Sequence, residues 1–292
     1  MSPTFWSNTI WFILLGITTI IELLIIFLKV KNRKRVLAIY FAVCGITFCF
    51  EMVVYSFFKS YEYYPMLIPH SRPDDSIAGN LFSQFSVSAT ALFIAVFNLR
   101  YYWFGFFAVL YGVIEELFIK LGIYKHNWYQ TWMTVIGLLV LFWIAKKIYK
   151  ESLTHIGNFE RYLYIFFGLV TLYENTIVWV LRLTGIRVFS ENFIPGKERS
   201  LVVLSATNML LLGVIIMLLH FSNIKWVWKV VVISILYVAY YIAGRFQLIL
   251  YKENFFLIST SISILGMYFY TYVLDKLLGQ NKRNINYNGS RI

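Results

Sequence analysis

Apolar runs of about 20 residues recur along the chain with only short breaks between them, the length at which an α-helix crosses a ~30 Å hydrocarbon layer. The first run, 9–28, is followed at once by "KVKNRKR" (29–35), and the alternation of apolar run and short polar loop continues to about residue 277. The runs are continuous rather than alternating, which excludes a β-barrel. Only 14% of the residues are charged, against about 25% in a soluble domain, too few to cover a water-facing surface. The fold class expected is an all-α integral membrane protein with nine transmembrane helices, at 6–28, 36–58, 78–98, 102–121, 131–149, 162–183, 201–221, 226–246 and 255–277. The first run has no basic segment before it and is too long for a signal-peptide core, so it reads as a true span.

The net charge of +12 would suggest nucleic acid in a soluble protein. Here the charges sit in loops between spans, so they report orientation and attraction to anionic lipid. "KVKNRKR" holds five Lys/Arg and no acid. Placing it in the cytoplasm fixes the other loops by alternation, giving N-out/C-in. The partners expected are the lipid bilayer and no nucleic acid. Cys44 and Cys49, five apart on one helix, point about 140° from each other and read as inert core thiols.

Four pairs of segments repeat in order. "RVLAIYF" (35–41) matches "RYLYIFF" (161–167), and "FEMVVY" (50–55) resembles "YENTIVW" (173–179), setting Glu51 against Glu174. "SIAGN" (76–80) aligns with "LSATN" (204–208), and "YKHNW" (124–128) with "YKENF" (251–255). Nearly constant offsets make chance a poor account and suggest one leading helix followed by two parallel four-helix repeats, 1+4+4, related by an axis along the membrane normal. The segments expected are a leading helix and basic loop (1–35), repeat 1 (36–149), a cytoplasmic linker (150–161), repeat 2 (162–277) and a polar cytoplasmic tail (278–292).

Ionisable groups inside spans are costly and mark functional sites. Glu22, Glu51, Glu115, Glu116 and Glu174 qualify. Asn80, Ser83, Gln84 and Ser88 fall on one helical face. With the helix directions above, the polar residues of both repeats gather toward the outer leaflet, including His126, Asn208, Arg245 and Glu253. This predicts a polar pocket between the repeats that opens outward. The first repeat supplies the acid pair Glu115/Glu116 where the second supplies Arg245, so a small zwitterionic ligand or a lipid headgroup would fit. Each feature also has a plainer account. Glu116 and Lys120 stand at i, i+4 in the favourable order for a surface pair. The buried glutamates and the Asn80 face could be helix–helix contacts, Glu22 among them. His70, Asp74, Asp75 and His126 lack the spacing of a metal motif, and neither a P-loop nor a G-x-S-x-G is present. No metal and no cofactor are expected, and no residue is marked as catalytic.

Residues 68–147 resemble an uncharacterised family of small multi-pass membrane proteins of spore-forming Firmicutes. The resemblance rests on the Asp75 loop entering a helix, the Glu115/Glu116 acid, "LGIYKHNW" (121–128) and "QTWMT" (130–134). It implies a bacterial plasma membrane or spore membrane and no particular reaction. Members correspond to about one repeat, and the second copy here lacks Asp75 and the acid pair. The function expected is a transporter or small-ligand- or lipid-binding protein. The alternatives are a non-catalytic sensor, receptor or assembly partner, and a membrane-embedded enzyme acting on a lipid with Glu115 or Glu116 as acid/base beside His126.

Overall fold

A computed structural model describes residues 4–154 and 156–279, the side chains of Lys197 and Glu198 excepted. Most of the polar tail expected at 278–292 lies outside the described residues. Among the described residues nine helices are long and apolar enough to cross a membrane. They are α1 (Phe5–Lys29), α2 (Arg33–Phe57), α3 (Arg72–Val96), α4 (Tyr101–Lys120), α5 (Thr131–Thr154), α6 (Asn158–Leu183), α7 (Lys197–Phe221), α8 (Trp226–Arg245) and α9 (Phe256–Leu278). The chain is a multi-pass helical membrane protein.

The helices keep the expected order, and their bounds move where local chemistry dictates. α3 begins at Arg72, six residues before the expected start, because Pro73 suits the first helical turn and Asp74 and Asp75 favour its positive end. α5 runs on to Thr154 through "KKIYKESLT", whose charged residues continue the helix beyond the apolar run.

Four three-residue strands lie between the spans, and no apolar run announced them. β1 (Tyr61–Tyr63) pairs antiparallel with β2 (Tyr124–His126), in register Tyr61 to His126. β3 (Arg187–Phe189) pairs with β4 (Ile249–Tyr251), in register Arg187 to Tyr251. Each pair joins the loop before α3 or α7 to the loop before α5 or α9, so both lie at one end of the bundle, called here the hairpin end. Each strand pair is preceded by a left-handed residue after the fourth or eighth helix, Gly122 (φ 70°) and Gln247 (φ 55°). Gly122 adopts this without a Cβ clash, whereas Gln247 carries a strain cost.

Element order is the same in α2–α5 and α6–α9, and each span and strand of the second set starts 125 or 126 residues after its counterpart. That spacing sets Asn80 against Ser205 and His126 against Tyr251. The motif match of "YKHNW" with "YKENF" is therefore two residues out of step with the strands: Tyr124 faces Tyr63, while Tyr251 faces Arg187.

Lipid chains are as apolar as Leu, so helices associate through close packing and buried polar contacts. α2 and α6 pack most closely at the centre. A Cβ on Gly45 would come within 1.9 Å of the Phe167 carbonyl oxygen, and Thr171 donates to the Phe41 carbonyl at 2.8 Å. α3 is the most enclosed span, and its inward face is built of Ser86, Ser88, Ala89, Thr90 and Ala91. α1 lies against α3, where Thr90 donates to Glu22 at 2.9 Å. α4 and α8 expose Phe106, Val109, Val113, Val230, Ile235 and Val238, surfaces that suit acyl chains and not water.

At the end opposite the hairpins, Arg35 donates to the Ser152 and Leu278 carbonyls. Arg161 grips Asp275 at 2.5 Å there. These bonds fasten α2 to α5 and α9, and α6 to α9.

Candidate functional site

Both central glutamates sit where their helices lose regular winding. Glu51 closes the α-helical part of α2, and Met52–Phe57 continues as a π-helix. Glu174 lies within the π-helical stretch Tyr173–Val178 of α6. A π turn carries an extra residue, so the side chains on either side of it point in new directions. π turns are rare and concentrate at functional sites. Both carboxylates line the space between the two halves.

Two cavities receive them. The first, about 150 Å³, lies between the two halves. Its polar lining comes from Glu51, Asn80 and Asp74 on one side and Glu174, Arg182, Arg187 and Ser205 on the other. The second, about 300 Å³, lies inside α2–α5 and is lined by Glu51, Ser83, Gln84, Glu115 and a wall of tyrosines. Glu51 borders both and is only 8% exposed. Tyr61, on β1, donates its hydroxyl to Glu51 Oε2.

The first cavity holds charges that protein groups only partly answer. Arg182 is satisfied, 2.5 Å from Asp74, whose other oxygen accepts from Ser71 at 2.6 Å. Ser205 donates to Glu174 Oε2 at 2.8 Å, but Glu174 Oε1 is buried with no hydrogen-bond partner among the described residues. Arg187 is 2% exposed and lacks a carboxylate in contact among the described residues. One amino group donates to Ser263 at 2.6 Å and the other reaches the Tyr173 hydroxyl at 3.5 Å, while its buried Nε has no hydrogen-bond partner among the described residues. The guanidinium lies over the Phe189 and Tyr240 rings, at 5.5 and 5.8 Å. The sequence reading missed this residue because "GIRVF" falls between spans. The available signal was a lone arginine set among apolar residues two places after a glycine.

Around the second cavity, His126 Nε2 lies 2.6 Å from Glu115 Oε1, and both are largely enclosed. Tyr61 and Tyr63 from β1, Tyr124 from β2 and Tyr129 pack together with ring centroids 4.7–5.7 Å apart. Burial pushes the Tyr61, Tyr63 and Tyr124 phenols well above their usual range, and that of Tyr129 up to about 12. They remain neutral hydroxyl donors in physiological conditions.

The expected site residues divide. Glu51, Asn80 and Glu174 meet at the first cavity, and Ser83, Gln84 and Glu115 at the second, with His126 behind Glu115. Asn208 lines neither: it joins Tyr173 and Tyr240 in the network behind Arg187. Glu116 is exposed and accepts from Thr131 rather than pairing with Lys120. Arg245 and Glu253 are exposed at the hairpin end and line neither cavity; the second half's cations at the first cavity are Arg182 and Arg187. The residue-by-residue comparison of His126 with Glu253 places the histidine inward and the glutamate outward.

Asp75 is a loop anchor. It accepts from the backbone amides of Met66, Leu67 and Ile68 at 2.7–3.0 Å, which shapes the loop before α3. Among the described residues no group of three or more His, Cys, Asp or Glu side chains is arranged to hold a metal ion.

No family model, no curated protein and no solved structure matches this chain.

Proposed function

We propose that this chain is a transporter or small-ligand-binding protein that takes a zwitterionic molecule or lipid headgroup in the cavity between its two halves. The observation that carries the reading is the unanswered pair in that cavity: the buried acceptor Glu174 Oε1 and the buried donor Arg187 Nε. A buried polar group without a partner costs about 1–3 kcal/mol, and an unpaired charge costs more. A ligand carrying both signs would answer both. The identical element order of α2–α5 and α6–α9 supports an internal duplication, 1+4+4, with the cavity on its seam. The basic 29–35 loop supports a cytoplasmic face opposite the hairpins, and hence N-out/C-in. The resemblance over 68–147 supports a bacterial plasma or spore membrane.

The test is thermal-shift and radioligand binding on the purified chain with a panel of amino acids, glycerophosphocholine and glycerophosphoethanolamine. At least one zwitterion should raise the unfolding temperature, and Glu174→Gln and Arg187→Gln should each abolish that rise while remaining folded. In proteoliposomes, Glu51→Gln with Glu174→Gln should remove pH-linked flux. Full binding in both folded single variants, together with full flux in the folded double variant, would overturn the reading.

The Glu115–His126 contact at 2.6 Å favours one alternative, a lipid-modifying enzyme with this pair as acid and base. Turnover of extracted lipids that disappears in His126→Ala and Glu115→Gln would support it.

A further inference from the structure

Three features of the second cavity bear on what it holds. It borders Glu51 and Glu115 yet has no lysine or arginine among its lining residues. Glu115 has His126 in contact, and Glu51 accepts from the neutral Tyr61 phenol. Its upper wall is tyrosine, at the hairpin end. Below that wall an apolar arm runs down α5 past Gly137, Leu138 and Leu141 to Ile144, with Thr47 and Tyr111 as the hydroxyls of the facing helices. At 1.5 Å per residue, Ile144 lies about 20 Å below the start of α5. Finally, the cavity reaches the outer surface of the bundle. Phe50 of α2 and Val140 of α5 both line it and are 52% and 51% exposed. Those residues face acyl chains, so the opening is lateral, from the bilayer.

From this geometry we propose that the second cavity binds a cationic amphiphile, a primary amine or quaternary ammonium on an alkyl chain, admitted from the membrane between α2 and α5. The ammonium would lie against Glu51 and Glu115 with the tyrosine rings around it, because ring faces attract cations most strongly where water is excluded. The chain would fill the hydrocarbon arm of this cavity, whose whole volume of about 300 Å³ is at the lower end of ligand pockets. A free anion has no cationic partner there, and a free hydrophilic cation leaves the arm unfilled. The site is separate from the zwitterion cavity except at Glu51, so Glu51 is left unaltered in the test.

The test is native mass spectrometry of the full chain in maltoside micelles at neutral pH, titrated with tetradecyltrimethylammonium or with myristate, which has a tail of the same length and the opposite charge. The ammonium should bind at least about tenfold more tightly, a difference of about 1.4 kcal/mol. Gly137→Phe should cut that binding about tenfold or more. A Cβ at Gly137 meets nothing within 4 Å, so the ring can enter the arm without disturbing the fold. Val140→Trp at the opening is the second variant. Arg187→Gln, which disables the zwitterion cavity, should leave ammonium binding unchanged. A two-chain trimethylammonium lipid added in place of the one-chain probe separates a bilayer lipid from a free amphiphile as the occupant. Equal binding of myristate, full binding in both Gly137→Phe and Val140→Trp, or loss of binding in Arg187→Gln would each overturn the proposal.

Discussion

Arg182 of α6 and Asp74 of α3 lie 2.5 Å apart across the seam between the two halves. Both are largely enclosed, so the pair is costly to break from one side. Removing either partner alone, by Arg182→Ala or Asp74→Ala, should destabilise the fold by about 3 kcal/mol, whereas a paired apolar replacement should cost much less. Reversible unfolding in mixed micelles, run as a double-mutant cycle, measures the coupling. A loss in the double variant equal to the sum of the two single losses would show the bridge to be a bystander.

Arg187 makes the opposite prediction. It is buried with no carboxylate in contact, which opposes stability while serving the cavity. Arg187→Met should stabilise the folded state by about 1–3 kcal/mol and lose zwitterion binding in the same preparation. Such a trade is expected where a site is held in a strained state for function. A destabilised Arg187→Met would mean that the guanidinium is a structural tie to Ser263 and Tyr173.

The hairpin end should respond to acid through Glu62. A hydrogen bond from Tyr64, at 2.6 Å, and then the charge of Arg72 hold its carboxyl below the usual range of 4.5. A depressed pKa means that the contribution to stability is present above about pH 4.5 and fades as pH falls through the lower folded value. Arg72 and Glu62 are both substantially exposed, so the effect is small. Hydrogen exchange in the 58–71 loop should rise on acidification in the parent chain, and Glu62→Gln should flatten that rise.

Orientation has a direct assay. In a background with Cys44 and Cys49 replaced by serine, Glu253→Cys should react with a membrane-impermeant maleimide on intact cells. Lys31→Cys should react only after the cells are opened. The reverse pattern would invert the topology.

The spans were legible because an uninterrupted apolar run reports membrane crossing by itself. Glu51, Glu115 and Glu174 were legible because a carboxylate inside such a run is conspicuous. The strands were not, since three residues are too few for alternation to show. The π turns at Glu51 and Glu174 leave no mark in hydropathy. Arg187 escaped for a related reason: an arginine in a short loop looks solvated until strand pairing folds that loop inward. Arg245 and Glu253 misled because the motif match is two residues out of step with the strands, so that literal identity and spatial equivalence diverge at the most repeated stretch of the chain.

The strand pairing of Tyr61 with His126 has a consequence for how the protein is made. Between the two strands lie α3 and α4, both of which must be synthesised and inserted before β2 exists. Glu51 therefore enters the membrane while β1 is still unpaired and before Glu115, Tyr124 and Tyr129 have been translated. The same wait recurs for Arg187, whose partner strand follows α7 and α8. During each interval a polar side chain and an open strand edge await their partners, and whatever escorts nascent membrane proteins would have to shelter them.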